Sequence, residues 1–174
     1  MAKKRGYFFT LDVLIALIII VIGFLAIWSS IAARSLITQP YFLAQDLLDF
    51  LQSTKNKDVS SLPYVTKLIA DGNITNYENT VLEQIGLFYY LNSIYHNKQD
   101  ILYGYTKEIL SNATPEQYSF EFLLNGSTIY TQQGLSNKAQ KDSDSLISAK
   151  TIVVVSISRD ELPQTYIAEV RVWQ

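Results

Sequence analysis

The hydrophobic pattern divides the chain into stretches of different period. Residues 13–33 carry no charge, and residues 13–27, VLIALIIIVIGFLAI, are apolar on every side of a helical projection. Roughly 20 apolar residues in a helix cross the hydrocarbon core of a bilayer, and an all-round apolar helix is not a surface-lying one. Residues 35–54, SLITQPYFLAQDLLDFLQST, are amphipathic instead. Leu43, Leu47, Phe50 and Leu51 recur at helical spacing, with Gln45, Asp46, Asp49 and Gln52 between them. Pro40 interrupts this run and predicts a kink or a break. In the last third the period falls to two. Tyr118, Phe120, Phe122 and Leu124 alternate with Ser119, Glu121 and Leu123. Asn125-Gly126 follows, a pair that supplies the positive φ angles of a two-residue hairpin turn.

The stretches between are weaker in pattern. Residues 53–63 form a polar loop, and residues 64–70 a short helix stopped by Asp71-Gly72. Thr75 and Glu78 are spaced as a capping box opening a helix over 76–97, with His96 at its end as a cap or surface residue. Another helix is predicted over 100–111. Residues 134–148 are polar and predict a mobile connection. Residues 150–158, KTIVVVSIS, and 165–173, TYIAEVRVW, are β-branched strands joined by 159–164. Tyr77, Tyr89, Tyr90, Tyr95, Tyr103 and Tyr105 crowd the helical region, and helical spacing assigns them to a core rather than a contact surface. The predicted fold class is α+β: an N-terminal transmembrane helix extending into a helical region (about 41–112), packed on a small four-stranded antiparallel sheet (about 117–174).

Charge orients this arrangement. Residues 1–34 carry +3 and residues 35–174 carry −5, with no patch basic enough for a nucleic-acid partner. Lys3, Lys4 and Arg5 keep the N-terminus in the cytoplasm, so residues 35–174 lie outside the membrane. Trp28 and Tyr7 suit the two headgroup boundaries. The chain has no cysteine and one histidine, which excludes disulfides, thiolate chemistry and a zinc cluster.

Three readings of the N-terminal segment compete. A secretory signal cleaved near Ser30-Ile31-Ala32 is disfavoured, because the apolar run exceeds the length usual for such signals. A plain uncleaved anchor is the second. The third rests on Lys3-Lys4-Arg5-Gly6, then Tyr7-Phe8-Phe9-Thr10-Leu11 and the apolar helix. This stretch, about residues 3–30, resembles the class III leader of type IV pilins, and the archaeal, pilin-like branch most. The resemblance implies a basic leader (1–6), a transmembrane helix (7–34) and an extracytoplasmic domain (35–174). It also implies cleavage between Gly6 and Tyr7 by a prepilin-type peptidase, after which the helices of many subunits bundle. Leu11 holds the fifth mature position, where the common bacterial pattern has a glutamate, and Asp12 is the sixth. Asp12 is either an interfacial, solvated acid near the helix start, or a partner for a freed amino terminus that guides assembly. The function so implied is a structural subunit, major or minor, of a type IV-like filament or pseudopilus. Its partners would be membrane lipid, the peptidase and other pilin-like subunits. The alternative is an uncleaved, membrane-anchored binding or sensing domain.

No sequence signal points to catalysis or a cofactor. Gly-rich phosphate loops, HExxH and GxSxG are absent. Asp142 and Asp144 in a KDSDS run are read as a solvated loop rather than a calcium site, and Asp160-Glu161 as a polar turn. The expectation is a non-enzyme without metal. Three N-x-S/T sequons, at Asn73, Asn112 and Asn125, fit an outward-facing domain as glycosylation acceptors, the second weakened by Pro115.

Overall fold

Four helices precede four strands: α1 (Lys3–Ser53), α2 (Pro63–Ala70), α3 (Val81–Tyr95), α4 (Gln99–Ala113), β1 (Ser119–Leu124), β2 (Ser127–Gln132), β3 (Leu146–Val155) and β4 (Gln164–Trp173). This computed structural model describes residues 3–135, 139–143, 145–156 and 162–174, without the side chains of 3–10 and 30–40. The chain divides into two units, Met1–Gln39 and Pro40–Gln174. The strands form one antiparallel sheet in the order β2-β1-β4-β3, so the protein is α+β.

The second unit is built on the alternation of β1, β3 and β4. Phe120, Phe122 and Leu124, Ala149, Val153 and Val155, and Tyr166, Ala168, Val170 and Val172 are buried on one face. Register aligns them, with Val170 opposite both Phe122 and Ala149. These side chains share one core with Leu82, Ile85 and Phe88 of α3, and with Leu102, Tyr105, Ile109 and Leu110 of α4. From residue 40 onward α1 adds Ala44, Leu47, Leu48 and Leu51, a stripe at i, i+3, i+4, i+7. Leu43 and Phe50, predicted for that stripe, flank it half-buried. Gly86 lets α3 approach β3, since a Cβ there would collide with the Val155 side chain.

The hairpin forms as its turn dictates. Asn125 and Gly126 have φ of 49° and 78°, and Leu124 pairs with Ser127. A bulge at Phe122/Leu123 then shifts the register. His96 is the left-handed C-cap of α3, with φ 54°, and Gly72 follows α2 at φ 72°.

Several expectations fail for identifiable reasons. Helix α1 is continuous through Pro40, so the break that was one of the two alternatives there does not occur: a proline withdraws only one N–H and the turns around it keep theirs. Thr75 and Glu78 do not cap α3. Thr80 and Glu83 do, with Thr80 Oγ1 accepting from the Glu83 N–H (3.2 Å) and Glu83 Oε2 from the Thr80 N–H (2.8 Å). Residues 76–80 are held out of the helix by pairing with 54–57, through Val81 N to Thr54 O and Asn56 N to Asn79 O. Glu78 instead accepts from Lys55 (2.7 Å) and Lys57 (2.9 Å). Strand β3 starts at Leu146, inside the stretch expected to be a mobile connection, because Ile147 and Ala149 continue its inward alternation. The end of the expected strand, residues 157–158, lies outside the described residues. Of the six tyrosines assigned to the core, only Tyr105 is fully buried; Tyr77, Tyr95 and Tyr103 are exposed, and Tyr89 and Tyr90 half-buried.

A polar cluster crosses the core beside α3. The Tyr105 hydroxyl donates to Asn56 Oδ1 (2.6 Å), and Asn56 Nδ2 donates to Gln84 Oε1 and Asn76 O (both 3.0 Å). Burial pushes the Tyr105 hydroxyl pKa well up, so it donates at any accessible pH. Tyr105→Phe strands the Asn56 acceptor and is expected to cost about 1–3 kcal/mol in chemical unfolding of the lipid-reconstituted chain. Gly134 is buried against the backbone of β1, where a Cβ would lie 2.6 Å from the Tyr118 carbonyl carbon. Backbone cannot yield as a side chain can, so Gly134→Ala is expected to lower the unfolding midpoint by about 1–3 kcal/mol equivalent.

Candidate functional site

The feature of the first unit is its surface. Residues Leu11–Ser29 form a helical segment of mean hydropathy 2.9 with none of its window buried. Among the described residues it is the one helix long and apolar enough to cross a membrane. Leu17, Ile19, Ile20, Ile22, Phe24, Leu25, Ile27 and Trp28 are each at least 60% exposed. A core helix of a soluble protein of this length would be mostly covered. Phe24 and Trp28 stack at 6.1 Å, one turn apart, near the C-terminal end of the apolar segment. Ser29 folds its hydroxyl back onto the Ala26 carbonyl (2.9 Å), satisfying that group within the helix. Length and composition thus suit this helix to a membrane anchor or a signal sequence.

Asp12 stands one residue inside that segment, exposed. Lys3, Lys4, Arg5, Gly6 and Tyr7 lie on the same helix, which runs through the Gly6-Tyr7 junction; their side chains lie outside the described ones.

The sequons differ in geometry and are not brought together. Asn125 is exposed in the hairpin turn, and its Oδ1 accepts from the Ile167 N–H (2.9 Å), leaving the amide nitrogen to solvent. Asn73 is half-buried, with Oδ1 accepting from Lys98 Nζ (3.2 Å). Asn112 spends its amide nitrogen on the Glu108 carbonyl (2.7 Å), and the hydroxyl of Thr114 is buried on the Leu110 carbonyl (2.9 Å). Asn112 is itself exposed, while the hydroxyl of its sequon's Thr114 is not. Asp144, Asp160 and Glu161 lie outside the described residues. Among the described residues no three acidic, histidine or cysteine side chains gather as metal ligands.

Sequence reasoning missed an ionic ladder on the outer face of the sheet. Glu169 Oε1 accepts from Arg171 Nε (2.6 Å) and the Ser148 hydroxyl (2.8 Å), and Oε2 faces Lys150 Nζ at 3.2 Å. Arg171 reaches on to Glu121 (3.4 Å), which accepts from the Thr128 hydroxyl (2.6 Å). The ladder thus crosses all four strands, through residues on one face of each. Strand parity made the alternation of Glu169 and Arg171 visible, but their partners depend on register. Ile152 and Ile167, opposite one another and exposed, continue the same face.

No family model, curated protein or solved structure matches this chain.

Two carboxyls have an altered proton affinity. Partial burial pushes Glu169 up, but its hydrogen bonds from Arg171, Ser148 and Lys150 outweigh burial and hold the pKa below the ordinary value. Hydrogen bonds from Lys55 and Lys57 hold Glu78 down at about 2. Both groups bind protons more readily in the unfolded chain. Their contribution to stability is therefore complete above pH 4.5, the ordinary value; that of Glu78 is lost as the pH falls towards about 2, and that of Glu169 as the pH falls through its own lowered pKa. Thermal midpoints measured from pH 6 downward should fall across that window, and Glu78→Gln should make the fall shallower. At neutral pH Glu169→Gln is expected to cost about 2 kcal/mol, because it leaves a charged cluster short of its shared acceptor.

Proposed function

We propose that this chain is a pilin-like structural subunit, major or minor, of a type IV-like filament or pseudopilus. The observation that supports it is the bare apolar helix Leu11–Ser29, preceded by three cations and Gly6 and followed by a helical, sheet-backed body. A rod that is apolar on all faces is covered equally well by lipid or by other rods of its kind. Its mechanism is assembly. The leader is removed between Gly6 and Tyr7 by a prepilin-type peptidase, the apolar helix passes from lipid into a bundle of like helices, and the α+β body faces outward. Asp12 makes the contact that sets register, because an acid amid an apolar bundle demands a partner and thereby disfavours slipped alignments. In this reading the protein performs no turnover and needs no cofactor, and its partners are lipid, the peptidase and other subunits.

The test is the mature N-terminus. Mass spectrometry of protein purified from its native host should find Tyr7 as the first residue, and Gly6→Val should leave the leader attached and abolish assembly. Intact Lys3, Lys4 and Arg5 in assembled material would reject processing. An uncleaved anchor carrying a binding or sensing domain would be indifferent to Gly6→Val.

A further inference from the structure

A cleft of about 400 Å³ opens between the helical pair and the hairpin of the second unit. One wall is Tyr89 and Asn92 of α3, another is Gln99, Asp100 and Tyr103 of α4, and the first residues of β2, 127–129, complete it. The volume falls at the small end of the range typical of ligand sites, roughly 300–1,000 Å³, and suits one or two sugar-sized rings.

Its chemistry is selective. Two phenol rings line it, and each is held by a second ring outside it. Tyr103 forms a T-shaped pair with Tyr130 at 5.7 Å, and Tyr89 one with Tyr166 at 5.3 Å. Tyr103 remains 47% exposed, so a ring surface is left for a ligand. Asn92 is oriented by its Oδ1, which accepts from the Lys98 N–H (3.1 Å), and this leaves two amide hydrogens to donate. The side chains of Gln99 and Asp100 are both exposed, and burial, the larger cause, together with the nearby Asp100 carboxylate raises the pKa of the Tyr64 hydroxyl. The cleft therefore offers planar donors and acceptors beside rigid aromatic rings.

Competing ligand classes fit less well. Among the described residues no lysine, arginine or histidine lines the cleft, which disfavours an anion. Among them Asp100 is its only carboxylate, too few for a divalent cation. Leu102 and Ile129 are the only aliphatic residues among them, and Leu102 is buried beneath the wall, which disfavours a greasy ligand. An extended peptide would have to add along β2, where α4 already packs.

We propose that this cleft binds a neutral saccharide, one ring face stacked on Tyr103 and its hydroxyls bonded by Asn92, Gln99 and Asp100. Neighbouring sugar hydroxyls both donate and accept, and so match an amide and a carboxylate presented side by side, while the apolar C–H face of a pyranose matches a phenol ring. The inference does not depend on how the N-terminal segment is processed.

The experiment is saturation-transfer NMR on the full chain in phosphatidylcholine nanodiscs prepared without glycosidic detergent. The probes are lactose, maltose, cellobiose and chitobiose, each at ~5 mM, suited to a millimolar Kd. Transfer to the ring protons of at least one is expected. Tyr103→Ala and Asp100→Ala should each weaken it about tenfold or more, and Tyr103→Phe should retain it. Asp100 is exposed, so its variant folds even if Tyr103→Ala does not; unfolding midpoints establish which variants are folded. Absence of transfer from all four sugars overturns the proposal. So does transfer that Asp100→Ala leaves undiminished, or amide shifts at residues 127–129 with a Val-Thr-Val-Thr-Val peptide and none with the sugars.

Discussion

Nineteen consecutive residues that the protein leaves uncovered impose the constraint on which everything else depends. Fourteen large apolar side chains between Leu11 and Trp28 are exposed. At about 1.5 kcal/mol or more for each side chain buried, covering them is worth on the order of 20 kcal/mol. That exceeds the whole stability of a typical domain, about 5–15 kcal/mol. A single carboxylate works against it with about 3 kcal/mol even at the bilayer centre, and with less near the headgroups. Asp12 therefore does not outweigh the gain from covering this segment; it bears only on what lies beside the segment once it is covered. The remainder of the chain folds by ordinary means, as an apolar stripe of α1, three further helices and one sheet face closing on each other.

How far the sequence disclosed this depends on the range of the interaction that decides each feature. The hairpin was legible because Asn125 and Gly126 carry their conformations locally, and the apolar segment because no other element is needed to define it. Capping was harder. Two overlapping patterns, Thr75 with Glu78 and Thr80 with Glu83, are equivalent locally, and the pairing of residues 54–57 with 77–81 chooses between them. That choice also releases Glu78 to hold Lys55 and Lys57. At Pro40 the alternatives were a kink or a break, and the break is absent, since the loss of one hydrogen bond does not end a helix whose next turns bury Ala44, Leu47, Leu48 and Leu51.

The polar features of the second unit were out of reach for the same reason. Asn56, Gln84 and Tyr105 are 28 and 49 residues from their partners, and nothing in their own neighbourhoods marks them as a network. The cleft draws on α3, α4 and β2, and its tyrosines looked like core residues because helical spacing cannot tell a ring that is covered from one that is braced by a second ring and still partly exposed. Tyr105 and Tyr103 lie two residues apart on α4, and the hundred-degree turn between successive positions sends one to the core and leaves the other exposed.

The two units contribute differently to any surface activity. A cleft with one exposed stacking ring and three short polar side chains cannot reach high affinity alone, because a small ligand gives up its freedom of motion for few contacts. Repetition changes that balance. When many copies are held by their apolar helices in one membrane or one bundle, a polymeric ligand engaged by one cleft meets the next at an effective concentration of about millimolar, and overall avidity can rise by about 10²–10⁴ without any new contact. Weak individual binding is then compatible with firm collective attachment that still permits single sites to exchange. In the assembly proposed above, the bare helix, with no chemistry of its own, would set how strongly the chemistry of the body is felt.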